Sequence, residues 1–403
     1  MHRTCTIIAV YSLLLCLQGE SLAADIVLYV DTGAAAGGDG TTNVTPTVND
    51  GHQPYQSLTQ CEEAADGVYE DLVTAGNTMT IHCNRTNGGG VDTERAYFDS
   101  SWITDATHTL TIMADDFPAD GVFDDTKYYL HNNDNLDTGT LLINTNYATV
   151  DRMQVVVTST STNSRNGIVF TLLASGANEV TVSNCIIKGV PSGTGSSYGI
   201  FVNDNDGILT MFNTVVYGFS ITDNTGFRGV SVANVSTISN CTIYDCWIGI
   251  YGGTGGASFS VTNSAIFGCG YSNGDIVAST KTVTYCATDD NVGTSAVDLN
   301  DNASGEWTAS FTNYGAGIFT VKDASAPIYN TGTDNPGSGL YTDDLANLAR
   351  TTTWDIGAFE YDDSEAPAGT GQVIMMGSLI PLLLIFARLR RTEARLRQWR
   401  GLF

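Results

Sequence analysis

The chain runs to 403 residues, 42% hydrophobic and only 15% charged, with 43 glycines, 8 prolines and a net charge of −26. Few Lys, Glu or Gln stand beside abundant Thr, Asn, Asp, Ser and Gly, a balance that favours strands and turns and argues against a helical bundle. So acidic a surface repels phosphates, which excludes nucleic acid as a partner; a solvated exterior or attraction of Ca²⁺ and cationic ligands remains.

Residues 1–23 read as a secretory signal. Arg3 precedes an apolar stretch from Ile7 to Leu17, and Ser21-Leu22-Ala23 offers small residues for cleavage after Ala23. Residues 24–78 are then expected to hold an N-terminal strand and a short capping helix. Leu58, Cys61, Ala65 and Val68 recur near helical spacing, and Ser57 can cap them. Such a helix covers the open end of a first coil beginning at Met79, where bare strand edges invite polymerisation. Export permits disulfides, and Cys61 with Cys83 is a candidate pair.

Residues 79–297 carry the fold signal. TVSNCIIKGV (181–190), TMFNTVVYGF (210–219), TISNCTIYDC (237–246), SVTNSAIFGC (260–269) and TVTYCATDDN (282–291) align, and shorter strands such as YGIFVND and RGVSVAN lie between them. One unit of 22 to 29 residues cannot bury its apolar face alone, so units stack as coils of a solenoid. Asn184, Asn213, Asn240 and Asn263 then form one column, expected inside as a ladder of mutually bonded amides. Cys185, Thr214, Cys241, Ser264 and Cys286 form a column that admits only small side chains. Val190, Phe219, Cys246 and Cys269 form another, in which Cys246 and Cys269 are either free thiols or a disulfide. Tyr217, Tyr244 and Phe267 also align. Alternation places them outward, as a platform for sugar rings or as packing beneath a side loop.

Residues 298–361 are expected as irregular C-terminal coils ending in a DIGAFEY cap, and 362–371 as a linker. Residues 372–387 are apolar enough for a transmembrane helix despite Pro381. The basic tail 388–403, with six arginines, places that end in the cytoplasm and the body outside.

The opening LYVDTGAAAGGDGT, the stacked coils and the closing APIYNTGTDNPGSGLYTDDLANLARTTTWDIGAFEY resemble bacterial right-handed parallel β-helix surface proteins of the pectin-lyase-like superfamily, over roughly residues 26 to 361. The resemblance implies an all-β right-handed parallel β-helix with a C-terminal module and a membrane-anchor or sorting tail. It leaves open a binding or structural surface protein that touches cell-surface glycans, a passenger with a cleavable sorting tag, or a polysaccharide-active enzyme.

A Ca²⁺-dependent lyase needs a Lys or Arg base beside metal-binding aspartates, and Lys188 and Arg228 are the cations to watch. A glycosidase needs two carboxylates with room for a water, and Asp289-Asp290 is the Asp pair at a coil end. Asp204 and Asp206, in Asp-Asn-Asp-Gly, offer either a Ca²⁺ loop or plain turn chemistry. His52, His82, His108 and His131 all precede the regular coils and read as solvated or core-edge residues.

Overall fold

The computed structural model describes residues 25–363, apart from 44–50, 87, 133–138, 160–161, 163, 172–177, 204–206, 221–225, 254–256, 271–274 and 352. The expected signal segment, the expected transmembrane segment 372–387, the basic tail, most of the expected linker and the Asp204/Asp206 pair lie outside the described residues. Among those described, no helix is long and apolar enough to cross a membrane.

The body is a parallel β-helix built from three sheets. Sheet A has nine strands, from Asp25–Asp31 and Thr78–Asn84 to Thr280–Thr284; sheets B and C have seven each. From residue 148 onward the chain visits A, B and C in turn. Asn178–Ser183, Ile186–Pro191 and Ser197–Val202 make one complete coil. Every neighbouring pair in these three sheets is parallel, so each side chain faces its equivalent in the next coil. Val182, Met211, Ile238, Val261 and Val283 form one such inward row, none more than 5% exposed. Each fully buried aliphatic residue of this kind contributes about 1.5–3 kcal/mol.

One outward row of sheet A is nearly as regular as the inward one. Thr80, Thr111, Thr149, Thr181, Thr210, Thr237, Ser260 and Thr282 stand on eight successive strands, each paired with the next. All eight reach solvent, and the last three are exposed.

Sheet C owes its shape to glycine. A Cβ on Gly167, Gly199 or Gly229 would lie 2.5–2.7 Å from the carbonyl oxygen of the glycine one coil on, so only hydrogen fits there. This is the physical content of the short x-Gly-Ile/Val strands.

The Asn column exists, but the inward amide ladder does not. Arg152, Asn184, Asn213, Asn240, Asn263 and Tyr285 occupy the corner between sheets A and B, with φ between 47° and 52°. Asn tolerates this left-handed backbone better than most residues, and that selects it here. Only one amide bonds another, Asn213 Nδ2 to Asn184 Oδ1 at 3.3 Å. The following residues make the interior ladder instead. Cys185, Thr214, Cys241, Ser264 and Cys286 each donate to the carbonyl two positions back, at 2.9–3.3 Å. Val190 departs from its expected column and is 47% exposed, because its strand runs straight on to Pro191, whereas Gly218 turns with φ 80°.

At the N-terminal end, Asp25–Asp31 pairs with Thr78–Asn84, one strand earlier than the expected start at Met79. Helix α1 (Leu58–Ala65) is capped by Ser57, which accepts from the Gln60 amide, and α2 spans Leu72–Ala75. Leu58, Cys61, Ala65 and Leu72 join the main core, while Val68 is 66% exposed. The edge of the first strand is covered by residues 40 and 55, through Tyr29 N to Gly40 O and Asp31 N to Tyr55 O.

Residues 298–361 do not continue the coils. After the sheet B strand Val297–Asp298 come helix α3 (Glu306–Ser310) and an antiparallel hairpin of Phe311–Asn313 with Ile318–Val321. The chain then returns along the A/B corner. Thr333 meets Asn263, Tyr341 meets Asn240, Asp343 meets Asn213 and Asn347 meets Arg152. The closing motif fastens this strap. Asp355 accepts from Asn330 N and Tyr361 N; Ile356, Ala358 and Phe359 are buried; and Glu360 pairs with Arg350. Arg350 also bonds Asn213 Oδ1 at 3.0 Å, tying strap to coil.

Candidate functional site

The strap decides the fate of the expected sugar platform. Tyr217, Tyr244 and Phe267 do share an outward row of sheet B. They are not open, however. Phe311 stacks on Phe267 at 4.6 Å, Phe319 meets Tyr217 at 5.4 Å, and Trp307 meets Tyr244 at 5.9 Å. Phe267 is fully buried, and burial pushes the Tyr217 and Tyr244 hydroxyls up to about 12. The row is a second hydrophobic core beneath the strap, which corrects the reading of these residues as a binding surface.

The expected Cys61–Cys83 disulfide is likewise corrected: both are free, buried thiols. Desolvation raises both, the neighbouring Cys61 adds to the shift at Cys83, and the Tyr128 hydroxyl bonds the Cys83 thiol. Cys246 and Cys269 are also free, each directed at a carbonyl two residues back.

Asp289 and Asp290 serve the last coil. Asp289 accepts from Gly268 N and from Trp307 Nε1, and Asp290 accepts from Asp275 N at 2.7 Å. Asp275 itself was not legible as special. It occupies the next rung of the glycine row of sheet C, so its carboxyl is turned into the interior at 2% exposure. Desolvation, then the nearby Asp289, pushes it up to about 8. The alignment of glycines contained this signal, since Asp275 breaks it. With these oxygens engaged and Asp275 enclosed, the group closes a coil rather than flanking a substrate bond.

Two places remain open around the cations singled out from sequence. On the outer face of sheet C, Arg228 pairs in register with Tyr198, and its guanidinium lies 5.1 Å from the Tyr198 ring and 3.6 Å from the Tyr251 ring. Phe201 adds a third ring, 4.9 Å from Tyr198. Arg228 Nη1 donates to Ser231 Oγ at 3.3 Å, and among the described residues Arg228 forms no ion pair. A guanidinium beside two aromatic rings offers a charge while the rings offer apolar faces, the combination that suits a sugar ring bearing a carboxylate.

The second is a groove of about 390 Å³ lined by Asp120, Val122, Phe123, Asp124, Asp125 and Lys188. Lys188 continues the Tyr217 row but lies beyond the strap, with Nζ 4.9 Å over the Phe123 ring. Asp124 accepts from Thr126 Oγ1 and N, which holds it below the usual carboxylate range, and Asp120 accepts from Val122 N. Among the described residues no three His, Cys, Asp or Glu converge as a metal site, so these residues alone do not build the Ca²⁺ centre that the resemblance allows. The histidines serve locally. His82 and His108 bond Asp115 and Asp105, and His131 bonds Thr158.

No family model matches the chain, and no curated protein matches it. Among solved structures, the crystal structure of a pectate lyase is similar over 85% of this chain and 98% of that one, at 14% identity and a TM-score of 0.35.

Proposed function

We propose that the chain is an exported surface protein, anchored by residues 372–387, whose parallel β-helix binds glycans at the outer face of sheet C. The observation that carries this reading is Arg228, clasped by Tyr198 and Tyr251 and without an ion pair among the described residues. A sugar carboxylate meets the guanidinium while its ring stacks on the tyrosines. The −26 charge opposes an acidic glycan at long range, so affinity should rise with salt up to physiological strength, where exposed charges more than about 8 Å apart are largely screened. Titration with polygalacturonate and alginate oligomers tests this. Arg228→Ala should weaken binding about tenfold or more, equivalent to a lost charge-assisted hydrogen bond of 1.5–3 kcal/mol. Equal affinity in wild type and variant sinks the proposal. Membrane fractionation tests the anchor, and a mature chain ending near Gly369 would make the tail a cleaved sorting tag.

A second reading, lyase chemistry, is favoured by Lys188 opening onto Asp120, Asp124 and Asp125 in one groove. Lys188 would take the proton α to the carboxylate, with Ca²⁺ recruited by the aspartates together with the substrate. Unsaturated product from polyuronates, made with Ca²⁺ and lost in Lys188→Ala, would establish it. No product under either condition removes it.

A further inference from the structure

We infer that sheet A carries a second binding track, for a neutral, extended polysaccharide lying along the solenoid axis on the hydroxyl row from Thr80 to Thr282. The row spans about 34 Å at the ~4.8 Å strand spacing.

Three observations support it. First, the row keeps its chemistry where its neighbours do not. Val27 stands at the first rung, but from Thr80 on, across coils that shorten from 38 positions (Thr111 to Thr149) to 22 (Ser260 to Thr282), this column holds only Thr or Ser. Two residues further along the same strands, by contrast, His82, Met113, Asp151 and Phe212 are mixed with Ser183, Ser239, Thr262 and Thr284. Strand propensity alone accepts Val, Ile or Tyr on a solvent face as readily as Thr. The hydroxyl is what the column retains.

Second, the row has a wall. The strap runs beside it, with Tyr341 stacked on Phe212 at 4.6 Å and bonded to Ser239 Oγ at 2.8 Å, and Leu340 stands 55% exposed at its edge. It stops short of the threonines, leaving Thr237, Ser260 and Thr282 exposed. A ledge parallel to a regular row suits a linear ligand better than a flat one.

Third, the row is uncharged in a chain of net charge −26. A polyanion is repelled, and a cationic ligand finds no carboxylate in the row. Threonine hydroxyls donate and accept, as sugar hydroxyls do, and the methyl groups meet the C–H faces of the ring.

The experiment uses the purified full-length chain against suspensions of cellulose, chitin and curdlan, with polygalacturonate as the charged control. Wild type should partition onto at least one neutral polymer. The Thr181→Val/Thr210→Val/Thr237→Val variant keeps shape and strand propensity and loses three hydroxyls. Its affinity should fall about tenfold or more, with an unchanged melting curve and unchanged binding in Arg228→Ala. Absence of wild-type binding to all three neutral polymers overturns the inference. So does undiminished binding by the valine variant, or loss of neutral binding in Arg228→Ala. Ice-crystal shaping without polymer binding would assign the row to ordered water instead, and also overturns it. The inference does not depend on the Arg228 site, so each can fail alone.

Discussion

The coils and the strap are held by opposite kinds of contact. In the coils every position has an equivalent above and below, so a Val can stand for a Met or an Ile and the row survives. In the strap the polar contacts are made once, through one arginine and one Asp355. Redundant contacts spread the effect of a substitution, and single ones concentrate it. Buried Arg350 is the extreme case, since its partners Glu360 and Asn213 lie on the strap and on the coil. Arg350→Ala leaves Glu360 buried without a counter-charge and should cost about 3–5 kcal/mol. Limited proteolysis with circular dichroism separates the two regions. Cleavage within 298–361 with the strand signal retained is expected. Simultaneous loss of both would show that strap and coils melt as one unit, which breaks the comparison.

Acidity sharpens the same contrast. Burial pushes Glu360, on the strap, up to about 7 and Asp275, at the last coil, up to about 8. Unfolded, both ionise near their ordinary values of 4.5 and 3.8. Folding therefore takes up protons between roughly pH 4 and 8, and stability falls as pH rises through that window, by at most about 1.4 kcal/mol per unit for each carboxyl. Melting temperature should be lower at pH 8.5 than at pH 6. Asp275→Asn should flatten the upper part of that slope and Glu360→Gln the part nearer neutrality. A slope unchanged in both variants would assign the effect to the general −26 repulsion.

The fold was legible because repetition writes it several times. Five aligned segments reveal the rows even where one coil departs, as Tyr285 does. What those rows meant was less legible. Asparagine at a repeated position fits both an interior amide ladder and a left-handed corner, and only the backbone, with φ near 50°, distinguishes them. Arg152 and Tyr285 in the same column were the available hint, since neither can join an amide ladder. Tyr217, Tyr244 and Phe267 were rightly placed outward, but alternation says nothing of what a later segment lays over them. The strap has no period, and its partners lie more than 100 residues away in several bonds. Arg228 was picked out as a scarce cation, whereas its clasp by Tyr198 and Tyr251 needs the register between three coils.

Asn240 separates corner from strap within one residue. Its amide donates to Asp355 O and Gly357 O, both at 3.3 Å, and accepts from the Tyr341 hydroxyl. Asn240→Gly keeps the left-handed backbone and loses the strap bonds, at roughly 0.5–1.5 kcal/mol for each net bond. Asn240→Ala loses both and should cost about 1 kcal/mol more. Equal values for Gly and Ala in denaturant titrations would mean that the corner does not select asparagine.

The smallest effect is the cleanest test of that corner. Tyr285 occupies the same column with φ 52°, and its amide bonds Thr294, outside the strap. A tyrosine held in the left-handed region carries a cost that asparagine largely escapes, because its short side chain relieves the Cβ–carbonyl crowding through local hydrogen bonding. Tyr285→Asn should therefore raise stability by roughly 0.5–1 kcal/mol, although the ring's contacts are lost. The expected reading is a higher melting temperature with the unfolding slope in denaturant unchanged. Were the substitution neutral or destabilising, asparagine in the other coils would owe its place to the strap it touches rather than to the turn it makes.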